Sequence, residues 1–109
     1  MSVLNKGPGP FPELARIAAR HRRLAEDLER IAGGNHPGAG ELRDAPLLME
    51  WRLRLAPAPH LVGIVLGHPV IPDGDLCRTS ELFTLDPDLG YARTRSRFYR
   101  LGERSDRTP

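Results

Sequence analysis

Short turns divide the second half of the chain into strand-sized segments, and this spacing restricts the fold more than any other feature. Two turns rich in Asp, Gly and Pro, at residues 72–75 and 86–90, leave no room for a helix between the apolar segments on either side. Strands joined by such short connections pair antiparallel, because a parallel crossover needs a dozen or more residues. The predicted strands cover residues 60–66, 76–85 and 91–101.

The first half of the chain contains an amphipathic helix. Pro12 suits a first helical turn, where its missing N–H would be unpaired in any case, and Gly33-Gly34 marks the other end. Between these marks, apolar side chains and one histidine recur at helical spacing and form a single stripe: Leu14, Ile17, His21, Leu24, Leu28 and Ile31. The stripe favours a helix that faces the core, and a short dimer seam is the alternative.

A short connector and a segment of ambiguous periodicity follow the helix. Residues 41–48 can form a brief helical turn in which Asp44 is the capping side chain and Pro46 lies in the first turn. From Met49 to Leu55 apolar residues alternate with polar ones, which favours a half-buried strand. Because some of the same apolar residues also satisfy a helical spacing, residues 47–55 stay open between strand and helix.

Together these elements predict an α+β fold. We expect an N-terminal amphipathic helix and a short connector packed on a small, twisted antiparallel sheet of three to five strands, curled toward a barrel. A chain of 109 residues is long enough for one core. The expected organisation is a flexible arm over residues 1–11, a single domain over 12–102 and a frayed tail over 103–109.

Composition excludes several classes of protein. With one cysteine, Cys77, the chain cannot form an internal disulfide or a thiolate metal cluster. No apolar run is long enough to span a membrane, and the N-terminus lacks the apolar core of a secretory signal. Sixteen basic and 14 acidic residues leave a net charge of only +2, which by itself indicates no partner. We expect a cytoplasmic protein without metal or cofactor, and no combination of residues suggests an enzyme.

The predicted last strand carries the most informative side chains. In a regular strand, alternate residues project from one face, and here these are Tyr91, Arg93, Arg95, Arg97 and Tyr99. Three guanidinium groups between two tyrosines can bind phosphates and stack on bases. They can equally bind an acidic protein surface through bidentate Arg–carboxylate pairs. A third interpretation is a solvated face whose arginines pair with Glu81 and the acidic turns.

Several motifs resemble a family of short bacterial proteins of unknown function. These motifs are Asp44-Ala45-Pro46-Leu47-Leu48, Trp51-Arg52-Leu53, Gly67-His68-Pro69, Thr79-Ser80 and, most specific, the stretch from Ala92 to Gly102, ARTRSRFYRLG. The resemblance covers roughly residues 14–102. It implies a small cytoplasmic protein, supports the expected domain limits and transfers no catalytic or binding residues.

The sequence therefore predicts a small non-catalytic binding module, a regulator or inhibitor that acts by protein–protein contact, for instance on nucleic-acid-handling machinery. Its predicted contact surface consists of Tyr91, Arg93, Arg95, Arg97 and Tyr99. Direct binding of DNA or RNA by the same face is the alternative, and an enzyme is the third hypothesis. Both a monomer and a homodimer are open.

Overall fold

The computed structural model describes residues 7–105, so the ends of the predicted arm (1–6) and tail (106–109) lie outside the described residues. Two helices, α1 (Pro12–Ala32) and α2 (Ala39–Asp44), precede a six-stranded sheet. Its strands are β1 (Leu47–Arg54), β2 (His60–Leu66), β3 (Leu76–Arg78), β4 (Leu82–Asp86), β5 (Tyr91–Thr94) and β6 (Phe98–Leu101). The α+β class is confirmed. No helix within residues 7–105 is both long and apolar enough to cross a membrane.

The predicted bounds of α1 are confirmed, because local signals set them. Pro12 occupies the first turn, and Gly34 takes a left-handed backbone (φ 87°) just beyond the last turn. The N–H of Asn35 donates to the carbonyl of Arg30 at 2.9 Å and satisfies one of the free carbonyls at the helix end. The sequence therefore encodes both ends of this helix locally.

The predicted role of Asp44 is wrong, since Asp44 is the last residue of α2 and caps no helix start. Ala45 has an extended backbone (φ −80°, ψ 148°), as expected for a residue that precedes a proline. Pro46 therefore ends the helical turn instead of lying inside it. The chain continues directly into β1, which settles residues 47–54 as strand.

A β-bulge in β1 explains why its sequence also fits a helix. The register with β2 shifts between Met49 and Arg52, and Glu50 has a positive φ of 50°. The extra residue lets Leu48 and Trp51, three positions apart, both pack in the core formed by one face of the sheet. A spacing of three is typical of helices, so the bulge imitates helical periodicity.

The sheet is mixed, in the order β3-β2-β1-β6-β5-β4, so the prediction of an all-antiparallel sheet is wrong. β1 and β6 pair in parallel, while the other four pairs are antiparallel. The chain between β1 and β6 includes four strands, which is ample for a parallel connection. The strand number also exceeds the predicted three to five, because segments 76–85 and 91–101 each divide into two strands.

The two edge strands are joined by only three residues, Thr79, Ser80 and Glu81. This link allows at most roughly 14 Å between the Cα atoms of Arg78 and Leu82, whereas the edges of a flat six-stranded sheet are about 24 Å apart. The sheet must therefore curl strongly. It is not closed into a barrel, however, because β3 pairs with β2, β4 pairs with β5, and the two edges do not pair with each other.

One face of the curled sheet forms the core. The buried cluster draws on five strands and consists of Leu48, Trp51, Leu61, Val65, Cys77, Ala92 and Tyr99. Leu82 and Leu85 of β4 pack against it. By contrast, Leu24 is the one buried residue of α1, so the expectation that the helical stripe faces the core is wrong for most of its length. The sheet encloses its own core, and α1 lies against its outer side.

Gly63 of β2 provides a test of this packing, because a Cβ there would lie 2.7 Å from the backbone oxygen of Met49. That oxygen belongs to the paired strand β1 and cannot move away without disturbing the bulge. Gly63→Ala should lower the free energy of unfolding by about 1–3 kcal/mol in denaturant titrations. The control is Gly40→Ala in α2, where a Cβ meets nothing within 4 Å. Equal stability of the two variants would contradict this packing.

Candidate functional site

The predicted last strand is in fact a hairpin, in which Arg95 and Ser96 form the turn between β5 and β6. Thr94 organises this turn: its Oγ1 accepts the N–H groups of Ser96 and Arg97, each at 3.3 Å, and its own N–H donates to the Arg97 carbonyl at 2.9 Å. The turn contains no Gly, Pro, Asn or Asp. Hydroxyl groups take the place of the usual turn residues, so the sequence pattern did not indicate a turn here.

The hairpin divides the five predicted contact residues between the two faces of the sheet. Arg93 pairs with Phe98 and Ala92 with Tyr99, and directly paired residues share a face. Tyr91 and Arg93 therefore lie on the outer face, whereas Tyr99 lies on the core face. Tyr91, Arg93 and Tyr99 are at most 3% exposed. The five side chains do not form one surface, and the prediction of a continuous Arg/Tyr face is wrong.

Arg93 attaches α1 to the outer face of the hairpin. Its Nε donates to Asp27 Oδ2 at 2.9 Å, and its guanidinium lies 5.3 Å from the centre of the Phe98 ring. The side chains are 4% exposed for Arg93 and 23% for Asp27, so the pair is largely removed from water. A charge-assisted hydrogen bond in such surroundings is stronger than an exposed one. Arg93 is thus a structural residue with an assigned partner.

Tyr91 makes a second contact on the outer face. Its hydroxyl lies 2.8 Å from Nδ1 of His36, in the loop after α1, and its ring meets Phe98 edge-on at 5.9 Å. Burial raises the pKa of Tyr91, and the carboxylate of Asp86 adds to the effect. No local pattern indicates that His36 or Asp27 would meet this strand, because both contacts join distant parts of the chain.

On the core face, Tyr99 lies among groups that burial keeps neutral. Its hydroxyl is 3.8 Å from Cys77 Sγ, and burial raises the pKa values of both groups. His68 Nδ1 accepts the N–H groups of Val70 and Ile71, so the proton of the neutral ring is on Nε2. Burial lowers the pKa of His68, and the Arg97 guanidinium adds to this. Cys77 is therefore a buried neutral thiol without an activating base.

Arg95 and Arg97 occupy the turn and its exit. Arg95 is exposed, and its Nη2 donates to Glu81 Oε1 at 2.6 Å, which is the pairing that the third interpretation of this segment anticipated. Arg97 is half-buried, on the face opposite to Arg93. Among the five predicted residues, Arg95 alone is exposed.

The first half of α1 also presents an accessible surface. Leu14 is 43% exposed, Ile17 is half-buried and His21 is exposed, so this part of the apolar stripe has little cover. A cavity of about 190 Å³, which we call the α1 groove, lies between the helix and the hairpin turn. Its lining residues are Ile17, Arg20, His21, Leu24, Arg95 and Ser96. The sequence revealed the stripe but not that the sheet would leave it open.

The α1 groove and the hairpin both lie within residues 14–108, which match the model of a family of unknown function, DUF6634. The chain belongs to this family. The resemblance expected from the sequence to a family of unknown function is thereby confirmed. No curated protein and no solved structure is significantly similar to the chain. The DUF6634 match begins at Leu14, the first residue of the apolar stripe.

The attachment of α1 can be tested by removing the charge of Asp27. Asp27→Asn leaves the buried Arg93 guanidinium without a counter-charge, and we expect a loss of about 2 kcal/mol in the free energy of unfolding. The control is Glu41→Gln, which removes the carboxylate partner of Arg30 from a pair that is about one-third exposed. That variant should lose less than about 1 kcal/mol. Losses of equal size would contradict the role of Arg93 as the main attachment.

The raised pKa values predict how stability changes in alkali. Cys77, Tyr91 and Tyr99 keep their protons in the folded state at pH values where the unfolded chain loses them, from about pH 8.5 for a thiol and about pH 10 for a phenol. The free energy of unfolding should therefore be level from about pH 7 up to this range and fall as pH rises through it. Lys6, the chain's one lysine, lies outside the described residues.

Denaturant titrations between pH 7 and 11 measure this decline, and Tyr99→Phe should make it shallower because one of the three groups is removed. An unchanged slope in that variant would show that Tyr99 does not contribute.

Proposed function

We propose that the protein is a non-catalytic binding module that holds a partner protein through the first half of α1. The observation that carries the proposal is the partly exposed stripe of Leu14, Ile17 and His21 on a helix that supplies no residue to the core cluster. Apolar residues at helical spacing are the usual anchors by which a helix docks in a groove of another protein. Such a module fits a regulator or an inhibitor, whose effect comes from occupying a surface.

Charge around the stripe supports a partner with acidic groups. The segment Pro12–Arg23 contains four arginines and one glutamate, a net charge of +3. All four arginines are exposed, and none of them forms an ion pair within the described part of the chain: Arg16, Arg20, Arg22 and Arg23. Unpaired guanidinium groups bind carboxylates in bidentate geometry, which adds orientation to the apolar contact.

This surface replaces the one predicted from the sequence. Tyr91 and Arg93 hold α1 in place, and Tyr99 belongs to the core. Arg95 is retained in the proposal, because it lines the α1 groove opposite the helix. The proposed mode of action is still contact with a partner protein, as expected from the sequence, but the contact surface is now on α1 instead of on the last strand.

Nucleic-acid binding is the second candidate, favoured by the position of three of the arginines. Arg16, Arg20 and Arg23 are four and three residues apart, so they project from one side of the helix and can follow a phosphate backbone. Binding of this kind would weaken steeply with salt and would not need the apolar stripe. Mobility-shift titrations at low salt separate the two candidates when they compare the natural protein with a variant whose apolar stripe is disrupted. Nucleic-acid binding should be the same for both proteins.

Substitutions in the stripe test the proposed function. The double variant Leu14→Asp/Ile17→Asp should lose partner capture by at least about tenfold, because it places charge where an apolar anchor would dock. The measurement is quantitative cross-linking in cell extract, comparing the abundance of each captured protein between variants. The matched control is Leu55→Asp, which changes an apolar residue that is 70% exposed and remote in sequence from α1. Capture that responds equally to both changes, or to neither, would overturn the proposal.

A further inference from the structure

We infer that the α1 groove receives one apolar side chain of an acidic segment of the partner protein, while Arg20 and Arg95 bind carboxylates beside it. The inference rests on the proposed function and specifies the chemistry of the partner. It commits to a protein segment in which a leucine-like or phenyl side chain is flanked by glutamate or aspartate.

The size and lining of the α1 groove select a single apolar side chain. Its volume is about 190 Å³, and a cavity of about 150 Å³ lined by apolar groups is large enough for benzene. Ile17 and Leu24 supply the apolar wall from the helix. Leu24 is the one buried residue of α1, so the groove reaches down to the contact between helix and hairpin. One branched aliphatic side chain or one aromatic ring fits this space.

Two guanidinium groups flank the groove from different elements. Arg20 belongs to α1, is exposed, and has no ion-pair partner within residues 7–105. Arg95 belongs to the hairpin turn, and its partner Glu81 is itself 36% exposed. An exposed ion pair of this kind contributes little, so a carboxylate of the partner can replace Glu81 at small cost. The groove thus offers one free and one exchangeable cation.

A second copy of the chain that docks through its own α1 does not satisfy this surface. Two copies of Pro12–Arg23, each with a net charge of +3, would repel in either orientation. Three of the four acidic residues of α1 are in its C-terminal half, Leu24–Ala32, which carries a net charge of −2. In that half Leu24 is buried, Leu28 and Ile31 are half-buried, and Asp27 binds Arg93, so its apolar side is already occupied. Charge and packing therefore argue against a dimer that pairs two copies of α1 and favour an acidic segment as the occupant.

The direct test uses a capped synthetic peptide with one leucine between two pairs of glutamates, titrated into the full-length protein and followed by amide NMR shifts. We expect saturable shifts at Ile17, Leu24, Arg95 and Ser96. Replacing the leucine by serine, or the glutamates by glutamines, should each weaken binding by about tenfold. A peptide that binds elsewhere, or binds equally well without its leucine, would overturn the inference.

Protein variants test the two cations separately. Arg20→Gln should weaken peptide binding about fivefold to tenfold, and Glu81→Gln should strengthen it up to about fivefold, because Arg95 is then free. The matched control is Arg22→Gln, an exposed arginine of the same helix that does not line the groove and should change affinity less than about twofold. Weaker binding by Glu81→Gln would contradict the exchange. Unchanged unfolding midpoints establish that each variant is folded.

The outcomes separate this inference from the proposed function. If Leu14→Asp/Ile17→Asp abolishes partner capture while the peptide and the Arg20 and Glu81 variants have no effect, the groove assignment fails and the proposed function stands. If the stripe variant also has no effect, both fail. If single-stranded nucleic acid displaces the peptide and binds with a steep salt dependence, the surface is a nucleic-acid site and the inference is overturned.

Discussion

The three-residue link between β3 and β4 is the constraint on which the arrangement of the molecule depends. Because these strands lie at opposite edges of the sheet, the link draws the edges together and forces the sheet to curl. A curled sheet can bury one face on itself, and here that face supplies the whole buried cluster. A flat sheet would need a helix as a cover. The curl removes this need and leaves α1 on the outside.

A helix outside the core must be held by other means, and the hairpin β5–β6 provides them. The Arg93–Asp27 ion pair and the Tyr91–His36 contact lie on the outer face, with the Phe98 ring between them. Polar contacts of this kind fix a position but bury less apolar surface than a core-facing helix would. They explain why Tyr91 and Arg93 occupy alternate positions of β5: these side chains attach α1 to the sheet, although in the sequence they resemble a binding face.

What the sequence could predict depended on whether the deciding interactions were local. Pro12 and the Gly33-Gly34 pair set the bounds of α1, and they act within one helical turn. The turn at Arg95 was concealed, because Thr94 and the serine hydroxyls perform a task usually indicated by Gly, Asn or Asp. The resulting hairpin shifts the alternation of faces, so one unseen turn displaced the whole predicted site to both sides of the sheet.

The sheet topology was beyond local patterns for a different reason. Pairing of β1 with β6 brings together segments separated by four strands, and only the packed core decides between such alternatives. The same holds for the direction that the stripe of α1 faces. An amphipathic stripe indicates that a helix will bury one side. It does not indicate whether that side is buried against the sheet of the same chain or against another molecule.

Charge along α1 shows how that question is resolved in this chain. The C-terminal half of the helix has a net negative charge, and it packs on the hairpin: Asp27 pairs with Arg93, and the Arg30 guanidinium lies 6.0 Å from the centre of the Phe98 ring. Its apolar side is buried or half-buried within the molecule. The N-terminal half is basic, and its arginines have no ion-pair partner within residues 7–105. A single helix is thus divided into an internal and an external half, and the division coincides in charge and in burial. This coincidence favours a binding surface over a core helix that is merely packed imperfectly. Imperfect packing alone gives no reason for the charge of the helix to change sign where burial ends.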